Sequence, residues 1–344
     1  MTRPSSEVRL WLDSVLRCPI DGGGLGRENH HLACGHGHRW PIVGGVPVLL
    51  RDDVEPTHPV FQETSFLARD PQAGGLDLTK AVSDSDLLCF VEAHIAGTHG
   101  QLYRRLRGPL RRYPIPEASL AEVCHDEGRG RVFLDVGSHW GRWALAASSL
   151  GYRAVALDPS LKAAVAGMRI AQALSLDVAY VVGDARCLPF RPHTFDVVFS
   201  YSVLQHLDKS AVRTVLGEVA RACREDGRVL VQMPNKFGVR QILNALRQRA
   251  TRDSNPFRIR HWSPRELERV FTEIVGPTSM RVDGFLSLNA RREDVDLLLP
   301  PQRSVVLVSE RLRRLSGVDW LGWLVWLADS LWVESRPHRA SCPH

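Results

Sequence analysis

The chain has 344 residues, of which 44% are hydrophobic and 24% are charged, and its formal net charge is +6. This composition is typical of a globular protein with a sizeable core, and it excludes a collagen-like or intrinsically disordered chain. The most apolar stretch, residues 318–333, contains Asp319 and Asp329. It is shorter than the roughly 20 apolar residues that a membrane-spanning helix needs, so no transmembrane segment is predicted.

Cysteine usage bears on the cellular compartment. The seven cysteines are odd in number, lie at scattered spacings and suggest no disulfide framework. No charged region followed by an apolar run, as in a secretory leader, is recognisable at the N-terminus. The sequence therefore predicts a cytoplasmic protein with reduced thiols.

Residues 1–51 are predicted to form a small β ribbon that ends in two strands around Gly44-Gly45. Cys18 and Asp21 are three residues apart, and Cys34 and His38 follow at a spacing typical of zinc sites. Zinc favours four such ligands in a tetrahedron, so these four residues are the predicted metal ligands, although His36 is an alternative to Asp21. A metal-free ribbon held by its apolar contacts is the competing interpretation.

Residues 52–128 are predicted to be a linker followed by a helical cap, and residues 129–235 to be an α/β core. In that core, short apolar runs alternate with helical windows, which predicts a parallel sheet covered on both faces. The predicted strands are 132–136, 153–158, 178–182, 195–200 and 227–232, and the predicted helices are 142–149, the helix after Ser160, and 209–223.

Residues 236–336 are predicted to form an insertion over the substrate and the last two strands, followed by a tail at 337–344. A basic helix is predicted at 237–250, and Ser263, Pro264 and Glu266 form a helix start signal. Further helices are predicted at 304–315 and 319–327, and strands at 280–285 and 331–335, the last of them half-exposed. The tryptophans of 319–327 recur every three residues, which predicts burial or peripheral contact with another chain or a membrane.

Three acidic residues follow successive predicted strands of the core. Asp135 precedes the turn glycine Gly137, Asp158 closes the next strand, and Asp184 follows the third. In an open parallel sheet, ligands bind beyond the carboxyl ends of the strands, where glycine lets the backbone approach the ligand. A carboxylate after the second strand suits ribose hydroxyls, and one after the third suits an adenine amino group.

The order and spacing of these residues resemble the class I S-adenosylmethionine-dependent methyltransferases. Asp135-x-Gly137-x-x-x-Gly141 is similar to their first motif, and the segments 183–190, 195–207 and 227–231 are similar to the motifs that follow. The resemblance implies an α/β fold with a doubly wound, seven-stranded, mostly parallel Rossmann-like sheet that closes with an antiparallel hairpin. The N-terminal segment resembles the zinc ribbon of bacterial rRNA guanine methyltransferases and, equally, the zinc-ribbon-like activator domains of other methyltransferases.

S-adenosylmethionine is the cofactor that the resemblance implies, with its sulfonium facing Ser200 and Tyr201. The implied cofactor-binding residues are Asp135, Gly137, Ser138, Gly141, Asp158, Pro159, Asp184, Ala185, Ser200 and Tyr201. One position departs from the family pattern, because His139 replaces the middle glycine of Gly-x-Gly-x-Gly. A dehydrogenase is disfavoured because the loop lacks the Gly-x-Gly-x-x-Gly spacing of dinucleotide-binding proteins.

A hydroxyl or carbon acceptor would need a general base, for which His206 is the first candidate and His261 the second. The leading hypothesis is methyl transfer to a small-molecule, glycan or lipid-linked acceptor, because the long C-terminal insertion suits a lidded pocket. The ribbon and the positive charge favour an rRNA base methyltransferase as the alternative. A non-catalytic scaffold with a cofactor fold is a third hypothesis, motivated by His139 and the altered ribbon.

Overall fold

A computed structural model describes residues 6–70, 82–98, 106–125, 128–242, 259–286, 290–317 and 319–338. The strands within these ranges are β1 (Leu25–Glu28), β2 (His31–Cys34), β3 (Arg39–Val43), β4 (Val46–Leu49), β5 (Val132–Val136), β6 (Arg153–Asp158), β7 (Val178–Gly183), β8 (Phe195–Tyr201), β9 (Cys223–Pro234), β10 (Thr278–Gly284) and β11 (Ser330–Ser335). They join in one sheet in the order β1-β2-β3-β4-β7-β6-β5-β8-β9-β11-β10.

The seven strands β5 to β11 form the core of the sheet. Strands β5 to β9 are parallel neighbours, and β11 pairs antiparallel with both β9 and β10. The predicted α/β fold with a mostly parallel sheet and a closing antiparallel hairpin is confirmed. The apolar runs explain these strands, since in β6 Ala154 and Ala156 pack into one hydrophobic cluster and Val155 and Leu157 into the other.

The N-terminal ribbon is continuous with this sheet, which brings the strand total to eleven rather than the expected seven. Strands β1 to β4 form an antiparallel meander, and Gly44 and Gly45 both adopt positive φ at its last turn. Strand β4 then pairs in parallel with β7 through Val48 and Val182. This long-range pairing fastens the ribbon to the strand whose carboxyl end carries Asp184.

Helices cover both faces of the sheet. They are α1 (Ser6–Val15), α2 (Val60–Arg69), α3 (Asp84–Thr98), α4 (Glu117–Cys124), α5 (Arg142–Ser149), α6 (Leu161–Ala173), α7 (Lys209–Ala222), α8 (Pro264–Ile274) and α9 (Pro300–Leu315). Helices α2 to α6 and α9 contribute buried side chains to one face, whereas α1, α7 and α8 contribute to the other. The prediction that 52–128 begins with a linker was wrong for residues 60–69, which form α2. None of the helices in the described ranges has both the length and the apolar character needed to cross a bilayer.

The C-terminal insertion follows the predicted order of elements, with two corrections. The predicted helix 319–327 is a 3₁₀ helix, Asp319–Trp326, and the predicted half-exposed strand β11 is almost entirely buried between β9 and β10. The capping box at Ser263 and Glu266 is present at the start of α8. The predicted basic helix begins at 239 rather than 237, and residues 239–242 are helical; residues 243–250, like the tail from 339, lie outside the described residues.

Candidate cofactor and acceptor site

The carboxyl ends of β5, β6 and β7 lie side by side at one edge of the sheet. Asp135 is paired in register with Ala156 of β6, and Asp158 is paired with Val182 of β7. Asp184 directly follows β7, and it caps a short 3₁₀ helix that begins at Ala185. The topology therefore brings the three predicted carboxylates to the same edge, beyond which a ligand of an open parallel sheet binds.

Asp135 is a buried carboxyl with a single described hydrogen bond, accepted at Oδ2 from Ala144 N of α5 at 3.1 Å. Burial, helped by the nearby charge of Asp158, raises the pKa of Asp135 to about 8. The carboxyl is therefore largely protonated at neutral pH in the unliganded fold. Strongly raised pKa values are typical of functional sites, and a positively charged ligand would favour the ionised form of this carboxyl.

Asp158 accepts hydrogen bonds from two backbone amides, Ser160 N at 2.9 Å and His139 N at 2.8 Å. Burial raises the pKa of Asp158 to about 6 even though both hydrogen bonds favour the carboxylate. Each carboxylate oxygen keeps a further lone pair, so the group can also accept hydrogen bonds from ribose hydroxyls. His139 fits the glycine position because it adopts a positive φ of 52°.

The turn after β5 depends on two glycines with a left-handed backbone conformation. Gly137 has a φ of +75°, and both Gly137 N and Ser138 N donate to Leu157 O of β6. Gly141 has a φ of +87° and begins α5, and a Cβ there would lie 2.6 Å from the Tyr180 hydroxyl. A Cβ at Gly137 would likewise collide with Val203 of the loop after β8, so both glycines let the turn pack closely against its neighbours.

Ser138 supplies a polar atom that fits a bound ligand. Its side chain is 8% exposed, and its Oγ has no hydrogen-bond partner among the described residues. Buried hydroxyls are normally hydrogen-bonded, so an orphaned one in a glycine turn indicates a ligand contact. Together with Gly137, Asp135 and Asp158, Ser138 fits the S-adenosylmethionine site that the sequence predicts.

Asp184 has a more restricted environment than the sequence suggested. Its carboxylate accepts a hydrogen bond from Arg186 N at 2.8 Å and forms an ion pair with the Arg186 guanidinium at 2.6 Å. Arg186 also donates to Glu55 O in the segment before α2. Asp184, the predicted hydrogen-bond acceptor for the adenine amino group, therefore lies at the edge of the site. Part of its hydrogen-bonding capacity is already used by Arg186.

Helices α2 and α3 cover the same edge of the sheet, a feature that sequence reasoning missed for α2. Thr64 of α2 donates to Pro159 O at 2.7 Å and accepts from Leu161 N, so it fastens α2 to the loop after β6. Phe90 of α3 stacks on the His139 ring, with the ring centroids 6.1 Å apart. The only sequence feature that could have indicated Thr64 was a helical pattern around it, within a stretch that also contains Pro and Gly.

Ser200 and Tyr201 end β8 on opposite faces of the sheet. The Ser200 hydroxyl donates to Val136 O of β5 at 2.9 Å. The Tyr201 ring packs among Trp143, Phe199 and Trp332, and its hydroxyl accepts a hydrogen bond from Arg291 at 2.7 Å. Ser200 thus lies beside the glycine turn, whereas Tyr201 belongs to an aromatic cluster around a buried arginine.

The loop after β8, residues 202–207, carries His206. Burial lowers the pKa of His206 to about 4, so its imidazole is neutral at physiological pH. The Gln205 amide lies 3.2 Å from His206 Nε2, and Arg260 donates to the backbone oxygens of both residues. His261 follows Arg260, and burial lowers its pKa as well. The two predicted base candidates are therefore brought to one region and are both neutral.

The four predicted metal ligands converge in the ribbon. The donor atoms of Cys18, Asp21, Cys34 and His38 all lie within 4.8 Å of one another. His38 Nδ1 is 3.5 Å from Cys18 Sγ and 3.3 Å from Cys34 Sγ, and Asp21 Oδ2 is 3.0 Å from His38 Nδ1. His36 Nδ1 also lies 3.0 Å from Asp21 Oδ2, although its side chain is exposed. Two sulfurs, one imidazole and one carboxylate are a donor set that suits tetrahedral zinc.

The strand order and the carboxylates at this edge agree with the class I S-adenosylmethionine-dependent methyltransferase fold that the sequence predicts. Residues 133–227 match the family model described as a methyltransferase domain, which spans β5 to the first part of β9. The match begins within the strand of Asp135 and includes the glycine turn, Asp158 and Asp184. The chain is thus an enzyme that uses S-adenosylmethionine, and the hypothesis of a non-catalytic scaffold is set aside.

Several solved structures are similar to this chain at low sequence identity. A putative methyltransferase from Bacillus halodurans is 15% identical, with a TM-score of 0.44 over 65% of this chain and 99% of its own. Magnesium protoporphyrin IX methyltransferase from Synechocystis, solved with bound SAH, is 15% identical, with a TM-score of 0.42 over 56% and 92%. A TehB-like methyltransferase from Corynebacterium glutamicum is 16% identical, with a TM-score of 0.41 over 74% and 98%. No curated protein matches the chain.

We expect the affinity for S-adenosylmethionine to rise with pH, by up to about tenfold per unit between about 5.5 and 7.5. The pKa of Asp135 is raised from 3.8 to about 8 in the unliganded fold, so a cationic cofactor binds with release of a proton. By the same linkage, the unliganded protein loses stability as the pH rises from about 4 to 8. Calorimetry in buffers of different ionisation enthalpy measures the proton release. Asp135→Asn should bind more weakly and release no such proton, and a pH-independent affinity would contradict the prediction.

Proposed function

We propose that the methyl acceptor is a small molecule, a glycan or a lipid-linked biosynthetic intermediate. The observation that carries this proposal is the cover over the sheet edge, where α2 and α3 contact the loops of Pro159 and His139. A second covering contact comes from Arg260, which holds the β8 loop from the C-terminal insertion. A covered edge suits an acceptor that enters as a small group or a chain end, and it suits a folded duplex poorly.

Incubation of the purified protein with methyl-labelled S-adenosylmethionine and fractionated cell extract tests the acceptor class. We expect the label in the small-molecule, glycan or lipid fraction and not in RNA, and less label with Asp135→Asn, which should bind the cofactor more weakly. Label in RNA at comparable yield would overturn the proposal. Within the proposed site, neutral His206 is the candidate base for a hydroxyl or carbon acceptor.

An rRNA base is the second candidate acceptor, and a basic cavity favours it. A cavity of about 670 Å³ lies between the ribbon, α2 and α6. Its basic lining residues are Arg9, Arg27, His30, His31, Arg69 and Arg169. None of the described lining residues is acidic, so the cavity suits a phosphate-bearing partner. Methyl label in rRNA that falls when Arg9 and Arg169 are changed to Glu would support this candidate.

We also propose that the ribbon binds one zinc ion through Cys18, Asp21, Cys34 and His38. The convergence of their donor atoms supports this proposal, and a bound ion would stabilise the ribbon by cross-linking its first turn to β2 and to the turn before β3. The alternative is a ribbon held by apolar contacts alone, such as those of the fully buried Leu32.

We expect the purified protein to contain about one zinc per chain, measured by elemental analysis under metal-limited conditions. Cys34→Ser should lose the metal and lower the melting temperature, because a thiolate ligand is removed. Asp21→Cys should bind zinc more tightly, because a fourth strong ligand of the common Cys₃His type replaces a carboxylate. Cys89→Ser is the matched control, since Cys89 is exposed on α3. Equal zinc content in Cys34→Ser and Cys89→Ser would contradict the proposal.

A further inference from the structure

An aromatic and basic patch lies on the surface beside the β8 loop. It consists of Lys236, Phe237, Arg265, Trp323 and Trp326. Trp323 is 54% exposed, Phe237 is 41% exposed and Trp326 is 38% exposed. Large aromatic side chains at this level of exposure leave much apolar area in water, which in a folded protein marks an interaction surface.

The patch is a fixed feature of the fold. Asn235, fully buried, donates through its side-chain amide to Val325 O, Trp326 O and Ala328 O, and its side-chain oxygen accepts from Phe237 N. The Phe237 and Trp326 ring centroids are 6.4 Å apart. One buried asparagine therefore joins the segment after β9 to the tryptophan-bearing 3₁₀ helix, and it holds both aromatic rings on the same surface.

One cation of the patch lies over a ring, and the other neighbours a ring in the sequence. The Arg265 guanidinium lies 5.5 Å from the centre of the Trp326 ring, and Lys236 directly precedes Phe237. Neither Lys236 nor Arg265 forms an ion pair with a described residue. Exposed tryptophan and phenylalanine interleaved with unpaired Lys and Arg are typical of surfaces that lie in the interface of an anionic membrane.

The patch adjoins the acceptor region. Lys236 N donates to Trp262 O, and Arg260, two residues before Trp262, donates from N to Gln205 O and from Nη1 to His206 O. If the protein docked on a membrane through this patch, the β8 loop would therefore lie close to that membrane.

We propose that this patch docks the enzyme on the surface of an anionic lipid bilayer. The rings of Phe237, Trp323 and Trp326 enter the headgroup region, and Lys236 and Arg265 contact lipid phosphates. Docking positions the β8 loop to receive a methyl acceptor carried by a lipid. The identity of the acceptor rests on the proposed function, whereas the docking itself does not.

Flotation of the full-length protein with vesicles tests the docking without any acceptor. We expect binding to phosphatidylcholine vesicles that contain about one third phosphatidylglycerol, and at least about tenfold weaker binding to phosphatidylcholine alone. Trp323→Ser/Trp326→Ser should lower the partition coefficient at least about tenfold, and Lys236→Gln/Arg265→Gln should lower it about fivefold for each cation removed. High salt should weaken the binding of the unchanged protein.

Leu307→Ser/Val308→Ser is the matched control, because both residues are exposed apolar side chains on α9. All variants are first shown to bind S-adenosylmethionine as the unchanged protein does, so a folding defect is recognised. Absence of vesicle binding, equal loss in the α9 control, or a dimer that dissociates in Trp323→Ser/Trp326→Ser would overturn docking. Methyl label confined to water-soluble acceptors, with vesicle binding intact, would overturn only the lipid-carried acceptor.

Discussion

Gly137→Ala should strongly weaken S-adenosylmethionine binding and, with it, methyl transfer. A Cβ at Gly137 would lie 2.6 Å from Val203 Cγ1 and closer still to Cγ2, and the residue has a φ of +75°. The turn must then shift away from the β8 loop, or Val203 must move with that loop. Either change disturbs the positions of Ser138 and Asp135. We expect a loss of affinity of at least about 100-fold, equivalent to roughly 3 kcal/mol, measured by calorimetry.

Two further variants separate the steric contact from backbone strain. Gly130 has the same φ of +75°, but a Cβ there would meet nothing within 4 Å. Gly130→Ala therefore carries only the cost of a left-handed alanine, roughly 1–2 kcal/mol of stability, and should bind the cofactor normally. Val203→Ala removes the obstructing methyl groups, so Gly137→Ala/Val203→Ala should recover part of the binding. Equal affinity in Gly137→Ala and the unchanged protein would show that the cofactor does not use this turn.

The parallel core could be predicted because its signals are local. The apolar runs before Asp135 and Asp158 are bounded by glycine and polar turns, and Ser160 caps α6 with a hydrogen bond from Ala163 N. Each of these features depends on neighbouring residues and the period of one element. The match between predicted and observed α5, Arg142–Ser149, has the same origin.

Features that depend on distant residues were not predictable in this way. The pairing of Val48 with Val182 joins segments more than 130 positions apart, and no local pattern encodes it. The burial of β11 follows from its place between β9 and β10, although its alternating sequence is typical of a half-exposed strand. Within the site, the bond from Thr64 to Pro159 O and the ion pair of Arg186 with Asp184 became evident only from the three-dimensional arrangement.

Arg142 should be among the most important residues for stability, because it is a fully buried cation at the start of α5. Its Nη2 lies 2.8 and 2.7 Å from the two carboxylate oxygens of Asp294, and its Nε donates to Pro114 O. The ion pair joins α5 to the C-terminal insertion, and the hydrogen bond to Pro114 O joins α5 to the segment before α4. Arg142→Met leaves Asp294 charged and buried, so we expect the free energy of unfolding to fall by about 3–5 kcal/mol, measured by urea denaturation.

The cost should come from the unpaired charge rather than from the loss of attraction, and a double variant tests this distinction. Arg142→Met/Asp294→Leu removes both charges and should be clearly more stable than Arg142→Met, because no ionised group remains desolvated. The exposed ion pair of Arg213 with Glu273 is the matched control. Arg213→Met should change the free energy of unfolding by less than about 1 kcal/mol, since water screens that pair. If Arg142→Met and Arg213→Met destabilise equally, the buried pair does not fasten the insertion to the cofactor domain.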